Sequence, residues 1–569
     1  MPTVIVNGKE IEIPGSPRLN CIEAARRAGV EIPHYCYHPG LTVAGNCRMC
    51  LVEVGNRDPK TGRITMQPKL VPGCNTPATD GTVIITQSEK IRQAQAMVEE
   101  GLLLRHPIDC PICDKAGECR LQDYHFQYGQ KERRADLKPF TSRRRDLGDV
   151  TLFVDRCILC TRCVRFTREI SGTKELMVTD RGAHEEIDVL PGHPLRNNLS
   201  GNVVDLCPVG ALADKDFLYQ QRVWFLRQHP GICTGCATGC SIWIEENQDR
   251  IYRLRPRENP AVNQWWICNA GRYGYHHVHD PRRITRPLRR LDAAAGSCAT
   301  AGLSSSGKST VGQANRGTQD TVRWTDVDWT ELVKELPERL RGAGRLGVLL
   351  SPFLTVEEAY LLAKFIRSLD ENALVALGKI PRQGEDQRFP KGFTIRAEKC
   401  PNRKGTGNVA AHFMQKWLSY EDLLAAVAQG EIDGLWVSGG YHSDWIDAAE
   451  AQRFERLKLL VVQDLFPSPL AERATYQLPG AAWAEREGSY VNFADQLQTM
   501  PAAVRPPLGL RTEAALYWDL LGRKGMFKAR KVLDEIAREI LYFSAAMRPI
   551  PESGIDLKEN LLAGGNLGS

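Results

Sequence analysis

The chain has 569 residues, of which 42% are hydrophobic, 25% are charged and 18 are cysteine, and 74 Lys and Arg against 68 Asp and Glu give a net charge of +6. This is the composition of a folded globular protein of about four domains, and it excludes a mostly disordered or collagen-like chain. No apolar run approaches the roughly 20 residues of a spanning helix. The opening MPTVIVNGKEIEIP lacks the marks of a signal peptide, so a cytoplasmic location is expected.

Val4 to Val6 and Ile11 to Ile13 alternate around Asn7-Gly8, a pair that supplies two positive φ angles, and predict a β-hairpin. A short helix is expected from Ile22 to Ala28, ending at Gly29. A Gly-containing loop from Cys36 to Cys50 runs into a strand, Leu51 to Val54, with Arg57 to Arg63 as a polar insertion. Ser88 to Arg105 reads as a helix, and cysteine motifs follow as far as Cys268. Residues 293–319 are rich in Ala, Gly, Ser and Thr without periodicity and read as a linker or long loop. Beyond it, Leu346 to Leu350, Val356 to Leu369 and Ala373 to Leu377 form a strand, helix, strand pattern. Gly434 to Val437 leads into Gly439-Gly440, and Leu459 to Gln463 ends at Asp464, as parallel strands of a doubly wound sheet do. Thr512 to Ala546 is mostly helical, with a break at Gly522 to Gly525.

Seventeen of the cysteines lie in the first 298 residues and only Cys400 lies beyond. An intracellular chain does not rely on disulfides, so the front half is assigned to metal. Four ligand sets are read from spacing. Cys36, Cys47, Cys50 and Cys74 follow a hairpin and helix like those of a β-grasp ferredoxin and suit a [2Fe–2S] cluster, with Gly40 and Gly45 allowing close backbone approach; structural zinc is the competing reading. His106, Cys110, Cys113 and Cys119 leave iron and zinc equally open, and the histidine is either a ligand or a bystander. Cys157, Cys160 and Cys163, with Cys207-Pro208 downstream, carry the double x2 spacing of bacterial [4Fe–4S] ferredoxins. Cys233, Cys236, Cys240 and Cys268 precede an α/β region, an order similar to that of molybdopterin oxidoreductases. Cys21, Cys298 and Cys400 are left over and read as buried or inert thiols. Oxidised clusters on these ligands add about -7 to the charge, so the basic balance argues for local neutralisation and against nucleic acid.

The segments HYCYHPGLTVAGNCRMC, LLLRHPIDCPICDKAGECRLQD, FVDRCILCTRCVRF and GNVVDLCPVGAL resemble the cluster motifs of the large iron–sulfur subunit of the proton-pumping NADH:quinone oxidoreductase, respiratory complex I. The resemblance is strong over about 1–290. It is weaker beyond, where LVVQDLFPSPLAERATYQLPGAAWAEREGSYVNF is similar to the pterin-enzyme core. It implies an α/β multidomain chain, with N-terminal β-grasp ferredoxin and iron–sulfur domains followed by a doubly wound molybdopterin-oxidoreductase-like domain, expected to be truncated because the chain departs from the family in being short there. The expected divisions are 1–95, 96–145, 146–225 and 226–290 for the four clusters, 291–325 for the linker, 326–505 for the α/β domain and 506–569 for a helical end. It also implies that His106 is a true ligand and that one [2Fe–2S] and three [4Fe–4S] clusters relay electrons; no molybdenum is expected, because the lysine that would link cluster and pterin after Cys268 and further active-site cysteines are missing. The implied partners are a flavin and NADH-binding subunit, a small [2Fe–2S] subunit and quinone-side subunits, on the cytoplasmic face of the membrane.

Two alternatives share the front half. A formate dehydrogenase needs a lysine two residues after the last cluster cysteine, but Asn269, Ala270 and Gly271 follow Cys268. An iron-only hydrogenase needs four further cysteines, and only Cys298 and Cys400 remain; the diaphorase subunit of a soluble hydrogenase resembles only the first 220 or so residues. Gly302 to Ser309 fits the Walker A pattern but has neither a buried strand before it nor a helix after it, and reads as linker. Arg48, Arg156, Arg162 and Arg165 lie beside candidate ligands and either stabilise reduced clusters or are solvated surface.

Overall fold

The computed structural model describes residues 1–291 and 323–559, apart from 133, 136, 137, 139 and 183. Cys298, the Walker-like run and most of the expected linker therefore lie outside the described residues. The chain forms two units: Met1–His229 with Ile242–Tyr275 and Asp386–Ile395, and Pro230–Ser241 with His276–Glu385 and Arg396–Ser569.

The first unit opens with strands Thr3–Val6 and Lys9–Glu12, paired antiparallel from Thr3 opposite Glu12 to Val6 opposite Lys9. Asn7 and Gly8 turn the hairpin at φ of 49° and 82°, as the Asn-Gly pair requires. Thr3–Val6 also pairs in parallel with Thr82–Ile85, and Leu51–Arg57 runs antiparallel on that strand's other side. Helix Cys21–Arg27 starts in a capping box, Asn20 accepting from the Glu23 amide while Glu23 accepts from the Asn20 amide. The helix packs Ile22, Ala24 and Ala25 on Val4, Val52, Val54 and Ile84, burying the apolar face of the sheet. The polar insertion at Arg57 is a hairpin, because Ile64–Met66 returns to pair with Leu51–Arg57.

Helix Glu89–Leu103 is capped by Ser88, whose hydroxyl accepts from the Ile91 amide at 3.3 Å. Helices Arg120–Tyr128 and Arg162–Glu169 each begin at or just after a candidate cysteine ligand. Arg144–Asp146 and Val150–Phe153 lie between these helices in the chain and form a sheet with Leu212–Asp214, which follows Cys207.

The second unit holds a seven-stranded sheet in the order Trp324–Asp326, Leu288–Arg290, Tyr476–Pro479, Leu459–Asp464, Gly434–Ser438, Leu346–Leu350 and Leu374–Leu377. The last five strands are parallel, and the first two add antiparallel pairs at one edge. Alternate residues face opposite ways. Val348, Leu350, Trp436 and Val461 belong to one core with helices Trp329–Ala343, Val356–Leu369 and Ala529–Glu539. Leu349, Leu435, Val437, Leu460 and Val462 belong to another with helix Tyr420–Ala428. Burial on both faces explains why these strands read as unbroken apolar runs and not as alternation. The expected helical end is two helices, Glu513–Leu520 and Ala529–Glu539, then a 3-10 turn, Leu541–Met547. No helix among the described residues is long and apolar enough to cross a membrane.

Candidate iron–sulfur sites

The first set sits where the ligand loop meets the β-grasp sheet. Cys50 immediately precedes Leu51–Arg57, and Cys74 follows Val71–Pro72, which pairs with that strand. The Gly73 amide donates to the Cys50 carbonyl at 2.8 Å, so the two cysteines are fixed by one backbone contact. Cys36, Cys50 and Cys74 are buried and Cys47 is partly exposed. Their thiols form a hydrogen-bonded group: Cys36 reaches Cys47 and Cys74, and Cys74 reaches Cys50. Those bonds hold Cys36 and Cys50 below the ordinary thiol range and push Cys47 and Cys74 above it. The four sulfurs thus converge. Cys21 lies in the adjacent apolar core, where burial pushes its thiol up to about 12.

In the second set His106, Cys110 and Cys119 line one cavity of about 390 Å³, together with His125. Cys113 is buried apart from that lining, its sulfur against Gly210, where a Cβ would come within 2.2 Å of it. Burial lowers the His106 pKa and the Arg156 charge lowers it further, which favours the neutral imidazole, the form that ligates metal. Burial also pushes the Cys119 thiol up to about 11.

All four members of the third set, Cys157, Cys160, Cys163 and Cys207, line a single small cavity whose other walls include Leu152, Ile187, Val209 and Ala211. The loop that carries Cys157, Cys160 and Cys163 bends sharply, with Leu159 and Thr161 at φ of 52° and 58°. The Leu159 amide donates to the Cys157 sulfur at 3.4 Å. A small cavity lined by all four cysteines and mostly by apolar side chains, with an amide on the Cys157 sulfur, fits a [4Fe–4S] cluster.

The fourth set divides between the two units. Cys233, Cys236 and Cys240 lie on a buried loop in which the Gly235 amide donates to the Cys233 sulfur at 3.5 Å and the Cys233 amide to the Cys240 carbonyl at 2.8 Å. Asn492 and Gln498 hold this loop through the Thr238 and Gly239 carbonyls, at 3.1 and 2.8 Å. In the other unit Cys268 is buried at the start of helix Asn269–Arg272, and its sulfur accepts from the Gly271 amide at 3.3 Å.

The four arginines noted in the sequence do not share one environment. Arg48 is exposed, whereas Arg156 and Arg165 are 3% and 4% exposed, which removes the surface reading for those two. Arg156 pairs with Asp109 at 2.9 Å. Sequence reasoning did not find Gly210, Asn46, Asn492 or Gln498, because each acts through a contact far along the chain. Cys400 is buried beside Phe353 and Tyr441, and burial raises its thiol well above the ordinary value.

Five family descriptions match the chain: 2Fe-2S iron-sulfur cluster binding domain at 3–89, NADH-ubiquinone oxidoreductase-G iron-sulfur binding region at 95–134, NADH-quinone oxidoreductase subunit 3 ferredoxin-like domain at 149–213, molybdopterin oxidoreductase Fe4S4 domain at 226–280 and molybdopterin oxidoreductase at 407–523. Over 376 residues the chain is 34% identical to an NADH-quinone oxidoreductase subunit of Streptomyces coelicolor, covering 65% of this chain and 40% of that one. Over 399 residues it is 34% identical to NADH-quinone oxidoreductase subunit 3 of Thermus thermophilus, covering 65% and 46%. A chain in the crystal structure of an NAD+-reducing [NiFe]-hydrogenase in the H2-reduced state is 28% identical, with a TM-score of 0.31, covering 39% of this chain and 91% of that one. The resemblance drawn from the cysteine motifs is borne out by the family descriptions and by these two NADH-quinone oxidoreductase relatives. The chain spans less than half the length of the curated relatives compared above.

Proposed function

We propose that this chain is an iron–sulfur electron relay of an NADH:quinone oxidoreductase, receiving electrons from a flavin-bearing, NADH-oxidising partner and passing them toward quinone-side partners. In this reading Cys36, Cys47, Cys50 and Cys74 hold a [2Fe–2S] cluster. His106, Cys110, Cys113 and Cys119 hold a [4Fe–4S] cluster, Cys157, Cys160, Cys163 and Cys207 a second, and Cys233, Cys236, Cys240 and Cys268 a third. The single observation that carries it is that all four third-set cysteines line one small cavity, within a match to a subunit 3 ferredoxin-like domain.

The clusters supply reversible one-electron chemistry. The chain's own residues do the rest. Loops with left-handed residues at Arg48, Leu159 and Thr161 aim the sulfurs, and amides at Leu159, Gly235 and Gly271 donate to sulfur, which favours the electron-rich state. Apolar walls exclude water. No general base or nucleophile is needed, and no molybdenum is expected. The chain then acts as a peripheral subunit on the cytoplasmic face of a membrane complex.

Metal and sulfide analysis of the anaerobically loaded chain tests this reading. About 14 iron and 14 sulfide per chain are expected. Stoichiometric zinc, or fewer than about ten iron, refutes it.

A further inference from the structure

We propose that Arg162 and Arg165 form a charge bridge between the first and third cysteine sites, holding the two ligand loops together and stabilising the reduced state of both. The inference rests on the relay reading above. Both side chains come from helix Arg162–Glu169, three residues apart, so they lie on one face. The Arg165 guanidinium donates to the carbonyls of Cys36 and Thr42 in the first loop and, at 3.1 Å, to that of Cys160 in the third. Arg162 donates to the carbonyl of Tyr37, next to Cys36, and at 3.3 Å to that of Leu206, next to Cys207. Asn46 adds a neutral tie, its amide donating to the Leu159 carbonyl at 3.1 Å. Each arginine therefore touches, in both sets, a candidate ligand residue or its immediate neighbour.

Hydrogen bonds to carbonyls do not neutralise a buried cation, which is costly unless negative charge faces it. The hydrogen-bond partners of Arg165 are carbonyls and the Thr161 hydroxyl. The hydrogen-bond partners of Arg162 are likewise carbonyls, and its Nε is buried with no hydrogen-bond partner. Two cations held on the backbone of two cysteine sets, with no carboxylate among these hydrogen-bond partners, fit centres that carry net negative charge, as thiolate-ligated clusters do. Because the charges lie between the sites, an added electron is favoured at either one. Both potentials rise together, and the difference between them changes little. An electron passing between two such centres would oxidise one as it reduces the other, and no proton or bond would change hands.

The test uses the full chain, loaded anaerobically with iron and sulfide, as wild type and as Arg162→Gln, Arg165→Gln, Arg162→Lys and Arg165→Lys. Midpoint potentials of the first and third centres are read by redox titration followed by EPR, with iron content measured separately. Each Gln variant is expected to lower both potentials by about 59 mV, a tenfold fall in the reduction equilibrium. The Lys variants, which keep the charge and lose the planar fork, should shift by about half of that or less. Unchanged potentials in Gln variants that retain both centres would overturn the proposal, as would equal shifts in the Gln and Lys pairs. If a Gln variant loses a centre, the matching Lys variant decides: both centres near wild-type potential support the charge bridge, and loss of a centre there too refutes it. A wild-type chain without iron at these sites refutes the relay reading and the bridge together, and the iron measurement reports that case by itself.

Discussion

At Gly210 a methyl group has no room, since a Cβ would lie 2.2 Å from the Cys113 sulfur and 3.3 Å from Lys115. Gly210 follows Cys207 by three residues, so this contact brings the backbone of the third set against a sulfur of the second. Gly210→Ala is expected to displace Cys113 and abolish or destabilise the His106 cluster while the Cys157–Cys207 cluster persists; EPR showing both clusters unaltered would contradict that. His106 gives a complementary test. Imidazole is neutral where thiolate is anionic, so His106→Cys should keep a [4Fe–4S] cluster at a lowered potential, whereas His106→Ala should lose or destabilise it. Four unaltered cluster signals in His106→Ala would show that the histidine is a bystander. The cysteines outside the sets behave differently. With its thiol pushed up to about 12 by burial, Cys21 carries about a thousandfold less thiolate at pH 8 than an ordinary cysteine. Mass spectrometry after alkylation of the native chain at pH 8 should find Cys21 and the similarly raised Cys400 unmodified, and both modified in denaturant. Rapid native labelling of either one contradicts the burial argument.

At the scale of the element, the third ligand loop carries strain where its function needs a turn. Leu159 stands at φ of 52° without being glycine, a conformation that costs roughly 1–2 kcal/mol. Leu159→Val places a β-branched residue there and should speed chelator-driven loss of the third cluster severalfold, while Leu159→Gly should not. In the second unit the N-terminal turn of Val356–Leu369 holds Glu358, buried and paired with buried Arg486 at 3.0 Å. Arg486→Ala leaves Glu358 and Glu513 without their cation and should cost about 3–5 kcal/mol, read as a lower thermal midpoint. Elements of this kind were unevenly legible in the sequence. The Asn7-Gly8 hairpin, the helix after Asn20 and the parallel strands were readable because local turn chemistry, capping and unbroken apolar runs each have one dominant outcome. Ile64–Met66 was not, because its three residues are all exposed and carry no alternation. The Leu288–Arg290 and Trp324–Asp326 pair is equally silent, being short and joined across a long intervening segment. The cysteine spacings grouped the candidate ligands, but nothing local showed that Arg165 reaches back to Cys36 or that Gly210 receives Cys113.

Over the whole chain, the proposed relay is a conductor whose protein sets position and potential, with substrates left to partners. In that proposal electrons from NADH pass through these sites on the way to quinone. Rapid-freeze EPR of the assembled oxidoreductase, mixed with NADH in the presence of quinone, tests it most directly. The account predicts that the reduced signals of the Cys36–Cys74 and Cys157–Cys207 centres appear within a single turnover. It predicts too that a variant losing the third centre, Cys207→Ser, keeps NADH oxidation by an artificial acceptor but loses quinone reduction. Quinone reduced at the full rate in that variant, with the third centre missing, would contradict the account.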